Sequence, residues 1–398
     1  MLRRLHILFA LAMLFACNSH AATPDDGAVA ESVREVIVGA RDTAAYMPML
    51  RDKRVTVLAN HTAMYDTKRH IVDLMHSEGI NIVGIFAPEH GFRGAVEAGA
   101  KVENGIDSKT GIRILSLYNG NTQRPSDDVM RSFDVLVVDM QDVGLRFYTY
   151  YISMLRMVDA CADFGCEVVV LDRPNPNGHY VDGPILDMKY KSGVGWLPIP
   201  VVHGMTMGEI ATMAIGEGWA KPAKLTVVKC QNYDHATHYA LPIAPSPNLP
   251  TQHSIYLYPT TCLFEGTVVS MGRGTDAPFE LYGHPDLKGY DYTFTPTPNA
   301  GSAKPPHMGK LCYGEDLRDI PNEVIWEEGI DLSYIIEAYH NLAIEEKFFT
   351  QMFEKLIGVA YVREMIKAGN SAEEIEAMWV DDVKKFKEQR RKYLLYNE

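Results

Sequence analysis

Ile82-Val83-Gly84-Ile85-Phe86-Ala87-Pro88-Glu89-His90-Gly91-Phe92-Arg93-Gly94 decides how the rest of the chain is read. Six apolar or small residues run into a proline. Proline has no N–H to give to a sheet ladder, so a strand is expected to stop there. Behind it stand a carboxylate, an imidazole, an aromatic ring and a guanidinium, spaced by glycines. In open α/β sheets, ligands collect beyond the carboxyl ends of the strands. A charged turn at that point therefore lies in a crevice. The plain alternative is a βα connection whose Glu89 and Arg93 neutralise each other.

The same grammar recurs outward in both directions. Residues 55–59 form an apolar strand ending at Asn60-His61-Thr62, and residues 67–78 read as a helix with Ile71, Leu74 and Met75 on one face and Gly79 as its stop. Residues 112–117 give another strand and residues 125–131 a short helix. Residues 134–139 are an unbroken apolar strand that discharges Met140-Gln141-Asp142-Val143-Gly144-Leu145-Arg146, and a helix is expected over 149–164. Residues 168–171 end in Asp172-Arg173-Pro174-Asn175, and residues 199–202 end in His203-Gly204. Thr206 with Glu209 three residues on is a capping box for the next helix. Residues 225–228 close the series. Fully apolar strands alternating with helices predict an α/β fold, a Rossmann-like, mostly parallel sheet with helices on both faces.

Pro242, Pro245, Pro247 and Pro250 change the texture. They mark the expected crossing from a first domain, residues 32–245, to a smaller α+β domain, residues 246–398. The second part is expected to hold a helix over 255–264, a strand within 309–317, and helices over 331–342, 348–358, 361–368 and 371–395.

The chain has 398 residues and a formal net charge of -13, which argues against nucleic acid as a partner. Two arginines precede an apolar run from Leu5 to Ala16 that is short for a bilayer span and fits an export signal, so residues 1–25 are set apart as signal and tether. Leu14-Phe15-Ala16-Cys17 fits a lipobox with Cys17 as lipid anchor, and Ser19-His20-Ala21 fits ordinary cleavage. Either reading makes the protein exported and periplasmic, with lipidated Cys17 its one route to a membrane. Cys161, Cys166, Cys230, Cys262 and Cys312 are odd in number and scattered, so buried thiols are expected rather than a disulfide framework. The phosphate loop, the dinucleotide glycine fingerprint, the G-x-S-x-G elbow and H-E-x-x-H are all missing. No cofactor or metal is expected.

What remains are polar strand ends facing one crevice: Asn60, Glu89 with His90, Asp139 with Asp142, Asp172 with Arg173, and His203. Carboxylates and arginines without a nucleophilic serine or cysteine suit glycoside hydrolysis, metal-assisted hydrolysis, or binding of an anionic sugar.

Six motifs in order now matter together: APEHGFRG (87–94), DMQDVGLRFYTY (139–150), LDRPNP (171–176), HGMT (203–206), PSPNLP (245–250), and EGT (265–267) with GRGT (272–275). Over nearly the whole mature chain they resemble the exo-β-N-acetylmuramidase family. The resemblance implies a Rossmann-like domain, a smaller C-terminal domain, a cleft between them, and release of N-acetylmuramic acid from the non-reducing ends of peptidoglycan fragments (MurNAc-GlcNAc). Under it, Glu89 is the expected general acid, shielded beside Phe92, with His90 orienting or tuning it. Asp142, Asp139, Glu265 or the substrate's own N-acetyl group supplies the second function. Arg93, Arg146, Arg173 and Arg273 are candidates for the lactyl carboxylate. Asn60, Asn248 and Thr275 are candidates for the N-acetyl group and hydroxyls, with Asp139 and His203 in the polar lining. Tyr148, Tyr150 or Tyr151 can stack on the ring, though their spacing sends at least one into the helix packing face. Two rivals stand beside this: a metal-dependent hydrolase using His90, Asp139, Asp142 and His203, and a non-catalytic muropeptide-binding lipoprotein.

Overall fold

Side-chain alternation along four central strands builds the molecule's layers. The computed structural model describes residues 34–89, 91–93, 104–117 and 124–398. His90 and the signal region with Cys17 lie outside the described residues. β1 (Val55–Ala59), β2 (Ile82–Ala87), β5 (Val135–Asp139) and β6 (Glu167–Leu171) lie side by side, and successive residues point to opposite faces of the sheet. Val55, Val57, Ile85, Val135, Val137 and Val169 face one core, shared with Tyr46 and Leu50 of α1 (Thr43–Leu50) and Ile71 and Leu74 of α2 (Ile71–Ser77). Leu58, Phe86, Leu136, Val138, Val168 and Val170 face the other core, packed by α4 (Tyr150–Phe164), α5 (Met207–Gly216) and most of the chain after residue 246. Both faces are therefore covered, as fully apolar strands require.

With β3 (Gly105–Ile106), β4 (Arg113–Ser116) and β7 (Lys224–Val228), the sheet has seven strands among the described residues, in the order β3-β4-β2-β1-β5-β6-β7. All pairings are parallel except that of β3 with β4. The chain leaves β1 toward β2 on one side and returns to β5 on the other. That reversal is a topological switch point, where a crevice opens beyond the strand ends. Leu58 pairs with Phe86 and Ala59 with Asp139, so β1, β2 and β5 end nearly level.

A short helix, α3 (Asp127–Met130), precedes β5, and α6 (Gln252–Thr261) opens the second half. A three-stranded antiparallel sheet follows, order β8-β10-β9, from β8 (Leu281–His284), β9 (Tyr292–Phe294) and β10 (Cys312–Asp316). Helices α7 (Asn322–Glu328), α8 (Ser333–Leu342), α9 (Met352–Ile357), α10 (Tyr361–Lys367), α11 (Ala372–Glu376) and α12 (Val380–Arg390) complete the chain. From Val36 to Glu398 these elements form one compact unit.

Three expectations are corrected. Residues 199–202 are not a strand: Pro198 and Pro200 remove alternate N–H donors, and Val202 makes only isolated bridges, to Leu145 and Asp182. The helix expected from residue 67 starts at Ile71. Asp66 takes the N–H groups of Lys68 and Arg69 at 2.8 Å each in a turn of its own, and His70 Nδ1 then caps Val72 N–H. The last helix is two, broken after Glu376. The capping box at Thr206 and Glu209 is present. All five cysteines among the described residues are buried free thiols. No helix among the described residues is long and apolar enough to cross a membrane.

Candidate active site

Pro88 ends β2 and turns the chain so that Glu89 meets Thr149, the residue that starts α4. The Thr149 hydroxyl donates to Glu89 Oε2 at 2.7 Å. The half-buried Glu89 opens onto a cavity of about 600 Å³. Phe147, Tyr148, Thr149 and Tyr150 line it, together with Ser246, Asn248, Tyr258, Glu265, Arg273, Phe279 and residues 301–304 from later in the chain. It is a built site: an apolar wall, a few polar groups, and contributions from distant parts of the chain.

The wall is aromatic and its rings meet edge to face, the arrangement the ring quadrupoles favour. Tyr258 lies 5.4 Å from Phe147, 6.3 Å from Tyr148 and 4.6 Å from Phe279, centre to centre. Tyr148 and Tyr150, 4.8 Å apart, both donate to Pro245 O, at 3.0 and 3.2 Å. Burial raises the pKa of both phenols, so they stay protonated donors. Tyr151 is the one turned into the helix packing face, its hydroxyl accepting from Trp196 N–H at 3.1 Å. Phe92, expected beside Glu89, instead packs edge-on against His70 at 4.9 Å in the core on the other side of the sheet.

Beside this wall, Arg273 donates from Nε and Nη2 to Glu265 Oε1, at 2.8 and 2.6 Å, and its guanidinium lies 5.1 Å from the centre of Phe279. Burial works most strongly against the Arg273 charge, but the Glu265 carboxylate together with Tyr258 and Cys262 outweighs it, and the Arg273 pKa is raised. Asn248 Nδ2 donates to Gly301 O at 2.7 Å. Gly274, at φ +82°, lets Pro305 approach to where a Cβ would sit 2.5 Å from its ring.

The other expected site residues are placed elsewhere. Arg93 lies on Phe92 and forks onto Asp107, at 2.9 and 3.0 Å from Nη2. Arg173 is buried in an ion pair with Asp139, Nε to Oδ1 at 2.5 Å, and also donates to Met64 O. Arg146 is fully buried and donates to four backbone carbonyls, those of Pro184, Ile199, Leu356 and Ile357, at 2.6 to 2.9 Å. Burial pushes its pKa down to about 10. Asn60 Oδ1 accepts from Thr62 Oγ1 at 2.6 Å. Thr275 Oγ1 donates to Gly272 O at 2.6 Å.

His203 is buried, its Nδ1 accepting from Met205 N–H, and burial pushes it down to about 3, so it is neutral at pH 7. Asp142 is buried with Oδ1 on Gly144 N–H at 2.8 Å, and Oδ2 has no hydrogen-bond partner among the described residues. Burial pushes it up to about 7. Asp172, pushed up to about 6 by burial, takes the hydroxyls of Thr206 and Tyr396, each at 2.7 Å. None of these residues lines the cavity. Among the described residues no three His, Cys, Asp or Glu side chains gather as an ion would need.

The cavity thus brings together Glu89, Tyr148, Asn248, Glu265 and Arg273 from the expected set. It adds Thr149, Tyr258, Phe279 and Lys304. Thr149 and Tyr258 were within reach, one inside the 139–150 motif and one on a helix leading to Glu265. For Lys304, in a Gly-, Ser- and Pro-rich stretch, the sequence carries no signal.

Comparison with known proteins matches the chain almost end to end. The family described as "Exo-beta-N-acetylmuramidase NamZ, N-terminal" matches residues 55–253, and its C-terminal counterpart matches residues 256–396. A Bacillus subtilis (strain 168) protein named peptidoglycan beta-N-acetylmuramidase NamZ is 38% identical over 370 residues, covering 88% of this chain and 89% of that one. Two crystal structures of DUF1343 family proteins from Bacteroides fragilis NCTC 9343 share the fold. One is 55% identical with a TM-score of 0.86, covering 92% of this chain and 100% of that one. The other is 27% identical with a TM-score of 0.78, covering 91% and 99%.

Proposed function

The chain belongs to the exo-β-N-acetylmuramidase NamZ family, and from that premise we propose that it is a glycoside hydrolase. It removes N-acetylmuramic acid from the non-reducing ends of peptidoglycan fragments, in the service of cell-wall turnover. The cavity forms where two domains meet, residues 32–245 and 246–398. The observation that carries the reading is Glu89: a carboxyl at a strand end, held by Thr149, opening on a cavity with an aromatic wall and a second carboxylate.

Glu89 acts as the general acid. It gives its proton to the glycosidic oxygen as the bond to the muramic acid C1 breaks. Thr149 fixes the orientation of the carboxyl. Of the carboxylates considered for the second function, Asp139, Asp142 and Glu265, only Glu265 lines the cavity. Glu265, or the substrate's N-acetyl group, stabilises the charge developing at C1; water then adds to C1, and the proton that water loses restores the acid form of Glu89. Tyr148 and Tyr258 give the sugar an apolar face, and Asn248 an amide.

The test is release of muramic acid from a chromogenic β-N-acetylmuramide and from MurNAc-GlcNAc. Glu89→Gln should lower kcat about 10³-fold, the scale of lost general-acid catalysis, with an unchanged melting curve. A variant as fast as the parent would falsify the assignment. A parent that binds muropeptides without releasing sugar would instead make this a binding protein. We also propose export to the periplasm with Cys17 as lipid anchor; labelled palmitate should enter the parent and not Cys17→Ala.

A further inference from the structure

We propose that Lys304 recognises the lactyl carboxylate of the muramic acid and so sets the preference for muramides over glucosaminides. The inference rests on the muramidase reading above. Muramic acid differs from glucosamine by a lactyl ether at O3, which adds one carboxylate to an otherwise neutral sugar. A cavity that selects it needs a cation with charge to spare.

Most cations of this chain that stand near the sheet ends have none. Arg93 is committed to Asp107, Arg173 to Asp139, and Arg146 to four carbonyls outside the cavity. Arg273 lines the cavity but is held on Glu265 by two hydrogen bonds. Lys304 also lines it, and among the described residues no carboxylate pairs with it. When Glu89 holds the proton it is to donate, Glu265 and Arg273 cancel, and among the described residues of the lining Lys304 is the charge left uncompensated. The protein's net charge of -13 does nothing to draw in an anion, so the attraction has to be local.

The loop that carries Lys304 is pinned against the cavity wall on both sides of it. Asn299 takes the N–H groups of Gly301 and Ser302 at 3.0 and 2.9 Å and donates to Thr275 O at 3.1 Å. Asn248 holds Gly301 O, Pro305 lies on Gly274, and His307 Nε2 contacts Val268 O at 2.7 Å. The backbone is thereby placed while the ammonium, on its four-carbon stem, stays adjustable. That suits a carboxylate on a rotatable ether better than a rigid fork would.

The experiment compares parent, Lys304→Met and Lys304→Arg on 4-nitrophenyl β-N-acetylmuramide and the matching N-acetylglucosaminide, with melting curves alongside. Lys304 is exposed, so the melting temperatures should agree. The expected result is a KM for the muramide raised about tenfold in Lys304→Met, the scale of one charge-assisted contact. Its kcat should stay within threefold, the muramide preference should shrink by the same factor, and Lys304→Arg should recover most of it. An active parent whose muramide KM does not change in Lys304→Met overturns the role of Lys304 and leaves the muramidase reading standing. A parent that releases no muramic acid overturns both.

Discussion

Two sets of ionisable residues stand at the same end of the parallel sheet, and they are built differently. Asp139, Asp142, Arg146, Asp172, Arg173 and His203 are sealed. Glu89, Glu265, Arg273 and Lys304 line a cavity. In the sealed set the charges are committed: Arg173 to Asp139, and Arg146 to four carbonyls from two distant segments. In the cavity set the side chains of Glu265 and Arg273 stay 25% and 18% exposed although paired, and Lys304 stands on an exposed loop. The difference follows from desolvation. A charge taken fully out of water must be paired, bonded or neutralised. A sealed strand-end residue therefore serves the frame, and only a partly wetted one can meet a ligand. Lying beyond a strand is not enough.

The sharpest way to break this contrast is Arg146. If it belongs to the frame, Arg146→Met leaves four buried carbonyls without donors, and the fold should lose about 5 kcal/mol, at the severe end for one substitution. Chemical denaturation should show it as a shifted midpoint, with kcat on the muramide near that of the parent wherever the variant stays folded. A variant of parental stability with a large rise in KM would instead put Arg146 in the substrate site.

Asp142 divides the two sets by pH. Burial holds its pKa at about 7, above the ordinary carboxyl value, so the folded state binds a proton more tightly than the unfolded chain. The stability that comes with that proton is complete below about pH 4 and drains away as pH rises toward 7. Asp142→Asn should remove this slope and raise stability at pH 8 by on the order of 3 kcal/mol. Asp172, at about 6, acts in the same sense. His203, pushed down to about 3, acts in the opposite one, so the difference between parent and variant is the diagnostic quantity. Activity at pH 6 should fall no more than threefold. A loss near 10³-fold would move Asp142 from the frame to the chemistry.

This contrast also explains what the sequence could and could not reveal. The apolar strands, the two covered faces and the cap at Thr206 follow from local rules: an unbroken apolar run, strands alternating with helices, a Thr and Glu three apart; the strand order around β1 is set by the tertiary topology and does not. Glu89 was legible because Pro88 fixes where β2 ends. Arg146 and Arg173 looked like ligands because an arginine after a strand has the same local signature whether its partner is a sugar or a carbonyl 211 residues away, as for Arg146 and Ile357. Burial is a property of the whole packing, and the motif does not carry it. Lys304 was missed for the complementary reason: its loop meets the cavity through Asn248 and Gly274, contacts no periodicity announces. Pro198 and Pro200 are a local signal of the opposite sense: their missing N–H donors argue against a ladder strand at 199–202.

The smallest expected effect sits where the two sets touch, at Thr149. It heads α4 on the sheet side, yet its hydroxyl reaches Glu89 in the cavity. Its side chain makes no capping hydrogen bond to the helix, so Thr149→Val should leave the melting temperature within about 2 °C of the parent, as expected of a change that removes no cap. What the variant removes is a hydrogen bond that helps to aim the acid. Losing a single orienting hydrogen bond costs about 1 kcal/mol, so kcat should fall roughly five- to tenfold with KM little changed. Thr149→Ser keeps the hydroxyl and should recover most of the rate. If Val and Ser variants lose rate equally, the methyl group's packing matters and the hydroxyl does not, and Glu89 is oriented by something other than the start of α4. If neither loses rate, the carboxyl needs no aiming from the frame, and the division between a sealed frame and an open site is cleaner than the Thr149 contact suggests.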